Sequence, residues 1–306
     1  MLIGGSGFIG SHFSRHLLAN GIQPVVVDWV RPSVEGVEYH ASELRTVADL
    51  KPGVLESVEA VYFLAWTTKP QAANQSPAYD LESNVLAGLH FLDGLLLLNK
   101  RPRIIFISTG GAVYGVPECT PTPESACAWP IGAYGISKLA FEHYLALYHR
   151  LHGLDYIILR PGNPYGEGQS PDAGQGAIGV FLGHLVKDEP IHIWGDGCTT
   201  RDYLYIQDLA EAMFQALNYT PTTRGGRIFN LGSGQGLSLN QLLDAITRVT
   251  GVKPDVRYEA ARVVDVPAIV LDCTRAETYL GWRAGTSLEV GLTRTWAWIM
   301  DSWAQQ

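Results

Sequence analysis

The glycine run near the start of the chain, Gly4-Gly5-Ser6-Gly7-Phe8-Ile9-Gly10, constrains the fold more than any other feature. It follows the apolar Met1-Leu2-Ile3 directly and opens a stretch patterned as a helix to Asn20, with Gly21 in the C-cap position. Glycines at this spacing allow a tight strand-to-helix turn and let a pyrophosphate approach the backbone, while the helix start offers free N–H groups and a partial positive charge. The run fits GxGxxG through Gly5, Gly7 and Gly10, and GxxGxxG through Gly4, Gly7 and Gly10. The next apolar strand, Val25 to Asp28, ends on a carboxylate 21 residues beyond Gly7. A carboxylate there accepts hydrogen bonds from a ribose 2′-hydroxyl and repels a 2′-phosphate, so Asp28 points to NAD rather than NADP, with Arg31 the one contrary feature. Three residues are few for the central strand of such a sheet; either the strand is short or it begins upstream.

Short β-branched runs alternate with helical patterns through residue 165: Val25 to Asp28, Val58 to Ala65, Arg103 to Ser108 and Tyr156 to Leu159 read as strands. Strands that are apolar on both faces and separated by helices predict an α/β fold, a Rossmann-type doubly wound parallel sheet covered on two sides. After Pro161 the texture changes, and the glycines and prolines between Asn163 and Gly179 have the composition of a long functional loop. Strand signals return at Ile191 to Trp194 and Arg227 to Leu231, with a helix from Asp208 to Leu217 between them. The expected division is a dinucleotide-binding domain over 1–165 that also receives about 201–234, and a smaller interleaved C-terminal substrate domain from 166–200 and 235–306. The closing segment places Thr286 and Glu289 at capping-box spacing before an amphipathic helix through Leu288, Leu292, Trp296, Ile299 and Trp303.

Composition narrows the partners. A chain of 306 residues with 46% hydrophobic and 17% charged side chains fills a sizeable core, which excludes disorder and coiled coil. Its formal charge of −8 opposes nucleic acid and anionic lipid, so an anionic ligand has to be held by local groups. The densest apolar stretch, Leu89 to Leu98, contains Asp93 and Gly94 and is far shorter than the roughly 20 residues that span a bilayer. No charged leader or cleavable apolar segment precedes the glycines, and a cytoplasmic location is expected. Cys119, Cys127, Cys198 and Cys273 form no CxxC pair and have no neighbouring histidine cluster, so they read as reduced thiols, and no metal site is predicted.

The chemistry-bearing pair is Tyr134 and Lys138, in Ala133-Tyr134-Gly135-Ile136-Ser137-Lys138 at the head of a predicted helix reaching about His152. Four residues apart on a helix they face the same way, so an ammonium can stabilise a tyrosinate and ease proton removal by the phenol oxygen. Ser108-Thr109-Gly110-Gly111-Ala112-Val113-Tyr114-Gly115 ends a strand about 20 residues earlier, where a doubly wound sheet delivers residues to its crevice.

With these pieces the sequence resembles the extended short-chain dehydrogenase/reductase family, in particular its nucleotide-sugar epimerases. The resemblance rests on the glycine run, Leu64-Ala65, Asn84-Val85, Val113-Tyr114-Gly115, YxxxK, Arg160-Pro161-Gly162-Asn163-Pro164-Tyr165-Gly166, Gly195-Asp196-Gly197, Arg201-Asp202-Tyr203 and Arg262 within Arg-x-x-Asp-Val-Pro. It implies an NAD site lined by Gly4, Gly7, Phe8, Ile9, Gly10, Asp28, Leu64, Ala65, Pro161, Tyr134 and Lys138. It further implies that Tyr134 takes the proton of the sugar 4-hydroxyl, that Lys138 holds the nicotinamide ribose and tunes the tyrosine, and that Asn163, Arg201 and Arg262 bind the nucleotide-sugar diphosphate. Two guanidiniums from distant segments are a physically sensible clamp for a dianion on a protein of negative net charge. The implied substrate is a UDP-hexose, glucose/galactose or the N-acetyl form, and the implied assembly is a homodimer.

Several positions depart from the family. Its catalytic hydroxyl usually stands four residues before the tyrosine of VYG, where this chain has Gly110; Thr109 is one step off and Ser108 two. Trp66 stands where the family commonly has a small residue. Family dehydratases and decarboxylases carry a carboxylate just after the catalytic hydroxyl, whereas this chain has Gly110-Gly111-Ala112, which suits 4-epimerisation. Other nucleotide-sugar chemistry, dehydration or reduction, and a non-catalytic NAD-binding sensor are the alternatives. The nearest stand-in for the acidic residue that meets adenine is Glu43.

Overall fold

The computed structural model describes residues 1–42, 50, 53–171, 176–261 and 266–304. Seven strands form one sheet: β1 (Leu2–Ile3), β2 (Val25–Asp28), β3 (Glu38–Ala41), β4 (Ala60–Phe63), β5 (Arg103–Ile107), β6 (Tyr156–Pro161) and, after three intervening strands, β10 (Ile228–Leu231). Their order is β10-β6-β5-β4-β1-β2-β3, and every neighbouring pair is parallel. The strand order reverses between β1 and β4, which opens a crevice at their C-terminal ends. The central strand is indeed short, and its two residues pair on both sides, Leu2 with Val26 and Tyr62, Ile3 with Val27 and Phe63.

The period-two alternation of these strands divides the core between the two faces. Leu2, Val26, Tyr62, Ile105 and Ile157 pack with Phe13 and Leu17 of the helix Phe8–Ala19 and Leu209 and Met213 of the helix Ile206–Asn218. Ile3, Val27, Phe63, Phe106 and Ile158 pack with Leu92 and Leu95 of the helix Ala87–Leu96 and Phe141 and Leu145 of the helix Ala133–His152. Each fully buried side chain of this kind contributes about 1.5–3 kcal/mol. The helices of the second face pack closely because Gly88 has no Cβ: one placed there would lie 2.5 Å from Phe141 Cε2. The helix Ala133–His152 ends on Gly153 at φ +69°, with His149, Arg150 and His152 in its last turn, a favourable end for both backbone and dipole.

Beyond Pro161 the chain builds two small sheets. Strands β7 (Asn163–Tyr165), β9 (Thr200–Tyr205) and β11 (Gly236–Ser238) form one in the order β11-β9-β7, and β8 (Ile191–Trp194) pairs in parallel with β12 (Val256–Glu259). Two elements carried no sequence signal, and one cap needs correction. Strand β3, Glu-Tyr-His-Ala, carries no apolar run because it is a half-exposed edge strand. The apolar stretch from Leu89 belongs to the helix Ala87–Leu96, which is preceded by a π-helical turn over Leu81–Leu86. The closing helix, Leu288–Ala304, takes Ser287 rather than Thr286 as its cap: Ser287 Oγ accepts from the Val290 amide at 3.4 Å, whereas Thr286 is bound through its amide and hydroxyl to Asp208. Among the described residues no helix is long and apolar enough to cross a membrane.

Candidate active site

The glycine run forms a cradle at the crevice. Gly4 sits at φ +77°, and a Cβ there would lie 2.6 Å from the Ala65 nitrogen; a Cβ at Gly10 would lie 2.5 Å from the Gly5 oxygen. A Cβ at Gly7, by contrast, would meet only the Gly4 oxygen at 3.7 Å, so the outer side of the turn stays open. The helix that follows has no side-chain cap and no acidic residue in its first turn, which leaves the amides around Phe8, Ile9 and Gly10 to a phosphate. The Leu64 and Ala65 amides both donate to the Ile3 oxygen at 2.9 Å, and this holds the end of β4 against the turn. Asp28 is fixed at the end of β2: Oδ2 accepts from the Ser6 amide and Oδ1 from the Val30 amide, both at 3.0 Å. An open glycine turn, free helix amides and an oriented carboxylate fit a dinucleotide with an unphosphorylated ribose. We expect Asp28→Ala to weaken NAD binding about tenfold or more and to narrow the gap to NADP, read by calorimetry with both cofactors.

Tyr134 and Lys138 occupy the first turns of the helix Ala133–His152, at the crevice. Gly135 makes the approach possible, since a Cβ there would sit 2.8 Å from the Ala112 oxygen of the turn after β5. Lys138 is buried; its Nζ donates to the Ile107 oxygen at 2.8 Å and lies 3.9 Å from the centroid of the Trp66 ring and 4.7 Å from that of Phe106. Burial lowers its pKa to about 7, against the opposing pull of Glu142 and Asp80. Burial, helped by Asp80, raises the half-buried Tyr134 to about 12. Lys138 stands 5.8 Å from the centroid of the Tyr134 ring, over the indole of Trp66. Trp66 thus seals the base of the pair, and its buried Nε1 has no hydrogen-bond partner among the described residues.

The displaced hydroxyl has a structural cause. A Cβ at Gly110 would lie 2.5 Å from Leu271 Cδ1 and 3.0 Å from the Arg160 oxygen, so no side chain fits at the family's usual position. A Cβ at Gly111 would instead face Asn163 Oδ1 at 3.4 Å and Thr109 Oγ1 at 3.9 Å, which places Thr109 and Asn163 at one corner of the crevice. Ser108 is occupied elsewhere: its Oγ donates to Glu142 Oε1 at 2.5 Å. Glu142 also pairs with Arg160 at 2.5 Å, and Arg160 donates to Tyr114 Oη at 2.9 Å, which donates to Asn230 Oδ1 at 2.7 Å. This buried chain ties the end of β5, the helix Ala133–His152, β6 and β10 together.

On the substrate side, Asn163 begins β7 and pairs with Tyr203 of β9. Arg201 lies on β9, its guanidinium donating to the Thr200 and Val266 oxygens at 2.9 and 2.7 Å. Pro161 ends β6, buried beside Leu231. Arg262 and Glu43 lie outside the described residues. Asp80 was not singled out from the sequence, where it stands four residues before Asn84-Val85 with Glu82 beside it.

The epimerase model, described as the NAD dependent epimerase/dehydratase family, matches residues 1–232. The UDP-glucose 4-epimerase of Mycolicibacterium smegmatis is 30% identical over 306 residues, 96% of each chain. A dTDP-4-dehydro-6-deoxyglucose reductase of Escherichia coli is 31% identical over 310 residues, 96% of this chain and 95% of that protein. The crystal structure of the Thermus thermophilus UDP-glucose 4-epimerase in complex with NAD has a TM-score of 0.89 and 32% identity over 98% of both chains. The glycine cradle, the Tyr134–Lys138 helix and these likenesses along nearly the whole chain agree, and the protein belongs to the NAD-dependent epimerase/dehydratase family.

Proposed function

We propose that this protein is an NAD-dependent 4-epimerase of a UDP-hexose. The observation that supports the reading is the end of β5: Gly111 faces both Thr109 Oγ1 and Asn163 Oδ1, Gly135 of the Tyr134–Lys138 helix packs on the Ala112 oxygen of the same turn, and Gly110-Gly111-Ala112 brings no carboxylate for eliminating water. Bound NAD supplies a hydride acceptor and donor and, while oxidised, a positive charge that lowers the tyrosine's pKa from its ligand-free position. Tyr134 takes the proton of the 4-hydroxyl and returns it after the 4-keto sugar has turned over in the site. Thr109 Oγ1 shares that proton and Asn163 binds the nucleotide sugar, with Arg201 and Arg262 as the diphosphate clamp. The pyranose turns within the crevice formed by 1–165, while 166–200 and 235–306 hold the nucleotide.

Incubating the purified protein, with the NAD it carries, with UDP-glucose tests this reading by chromatography. UDP-galactose should form to equilibrium without added cofactor. One relative supports a second reading, reduction of a 4-keto nucleotide sugar; NADH consumed in proportion to product when a 4-keto nucleotide sugar is supplied, with no epimer formed from UDP-glucose, would favour it.

An exposed apolar face supports a homodimer as the assembly. Ile136, Tyr144, Leu147 and Leu151 lie exposed on one stripe of the catalytic helix, beside Leu86 and Leu97 of its neighbour. A stripe this apolar is too large to be left to water, and pairing the two helices with those of a second copy covers it. Leu147→Asp combined with Leu151→Asp should convert a dimer into a monomer in light scattering at micromolar concentration.

A further inference from the structure

Asp80 is a buried carboxylate to which the proposed reaction gives no role. It closes the short helix Pro77–Asp80, is 0% exposed, and leads into the π-helical turn Leu81–Leu86, an irregularity often found at functional sites. Neutral side chains from three segments donate to it: Thr68 Oγ1 and Asn84 Nδ2, the latter at 3.0 Å, to Oδ1, and Ser137 Oγ at 2.5 Å to Oδ2. Asn84 Oδ1 in turn accepts from the Thr67 amide at 2.7 Å. Hydrogen bonds therefore run from the segment after Trp66, through Asp80, to the residue directly before Lys138. Two carboxylates act on Lys138, Glu142 from its own helix and Asp80 from the Pro77–Asp80 turn. Arg160 of β6 already matches Glu142, whereas among the described residues no cation lies within ion-pair distance of Asp80. The elements packed on the other sides present rings, Trp66 after β4 and Phe106 of β5.

We infer that Asp80 is a positioning residue for the Tyr134–Lys138 pair: it anchors the catalytic helix through Ser137 and provides the fixed negative charge against which the pair exchanges its proton. This rests on the acid/base roles given above for Tyr134 and Lys138. A buried anion opposes proton loss from both members, raising Tyr134 and Lys138 alike, so removing the charge lets the pair release its protons at lower pH.

The test is an ultraviolet phenolate titration of the NAD-loaded protein, with the Tyr134→Phe spectrum subtracted to isolate Tyr134. Asp80→Asn should move the titration about one pH unit toward acid, and the acid limb of kcat with it. Ser137→Ala keeps the charge and breaks the clamp; it should lower kcat several-fold and leave the titration in place. The exchange Asp80→Asn with Asn84→Asp keeps the net charge and an amide–carboxylate hydrogen bond between the two positions, gives up the bond from Asn84 Nδ2 to the Asp80 main-chain oxygen, and should return the titration toward its starting position. An Asp80→Asn titration that coincides with that of the unmutated protein, or an exchange variant that fails to restore a shifted one, overturns the inference. The titration needs no sugar, so a shift without epimerisation would refute the substrate reading and leave Asp80's role intact.

Discussion

Tyr134→Phe is expected to lower C4 inversion by at least the roughly 10²- to 10⁴-fold associated with losing a general acid/base, while NAD stays bound and the fold is unchanged. In the proposed reaction the phenol oxygen takes the 4-hydroxyl proton, and the ring that phenylalanine retains preserves the contact with Trp66. Thr109→Val should cost about 10²-fold or more, because Gly110 is walled in by Leu271 and cannot host a substitute hydroxyl. Ser108→Ala should change turnover little, since Ser108 Oγ is bound to Glu142. Steady-state kinetics on the three variants check the order. If Thr109→Val turns over at the unmutated rate while Tyr134→Phe does not, the tyrosine works on the sugar without a hydroxyl partner.

Arg160→Met should destabilise the protein by about 3–5 kcal/mol, the largest stability effect expected of any single change here. Arg160 and Glu142 are each only 3% exposed, and Glu142 also receives Ser108. Removing the guanidinium leaves a carboxylate in the core and unties Tyr114 Oη from its donor. Replacing both partners, Arg160→Met with Glu142→Leu, removes the stranded charge and should recover most of the loss. Calorimetric unfolding of the single and double variants measures this, and an Arg160→Met protein as stable as the unmutated one would contradict it.

Much of this architecture was legible in the sequence, for reasons that differ from element to element. Val25 to Asp28 and Arg103 to Ile107 read as strands because both their faces are buried, and the glycine run read as a cradle because its spacing answers a steric demand at Gly4 and Gly10. Strand β3 escaped because an edge strand needs no apolar run. The π turn at Leu81–Leu86 escaped because it differs from an α-helix by hydrogen-bond register, which hydrophobic periodicity does not encode. The missing hydroxyl at Gly110 was visible, but its cause was not: Leu271 fills that space from 161 residues downstream. Lys138 was read as an ammonium able to stabilise a tyrosinate from the same helix face; that it also donates to the Ile107 carbonyl and lies over Trp66 was not legible, because it is a consequence of packing between three elements.

In the proposed reaction hydride leaves and returns to one carbon within a closed site, with Tyr134 moving the proton. Turnover of UDP-glucose in D2O, followed by nuclear magnetic resonance, separates this route from its rivals. The expected product is UDP-galactose that retains protium at C4, with no deuterium at C3 or C5 and no net change in NADH absorbance. Deuterium at C5, loss of water from the sugar, or NADH formed in proportion to product would contradict it.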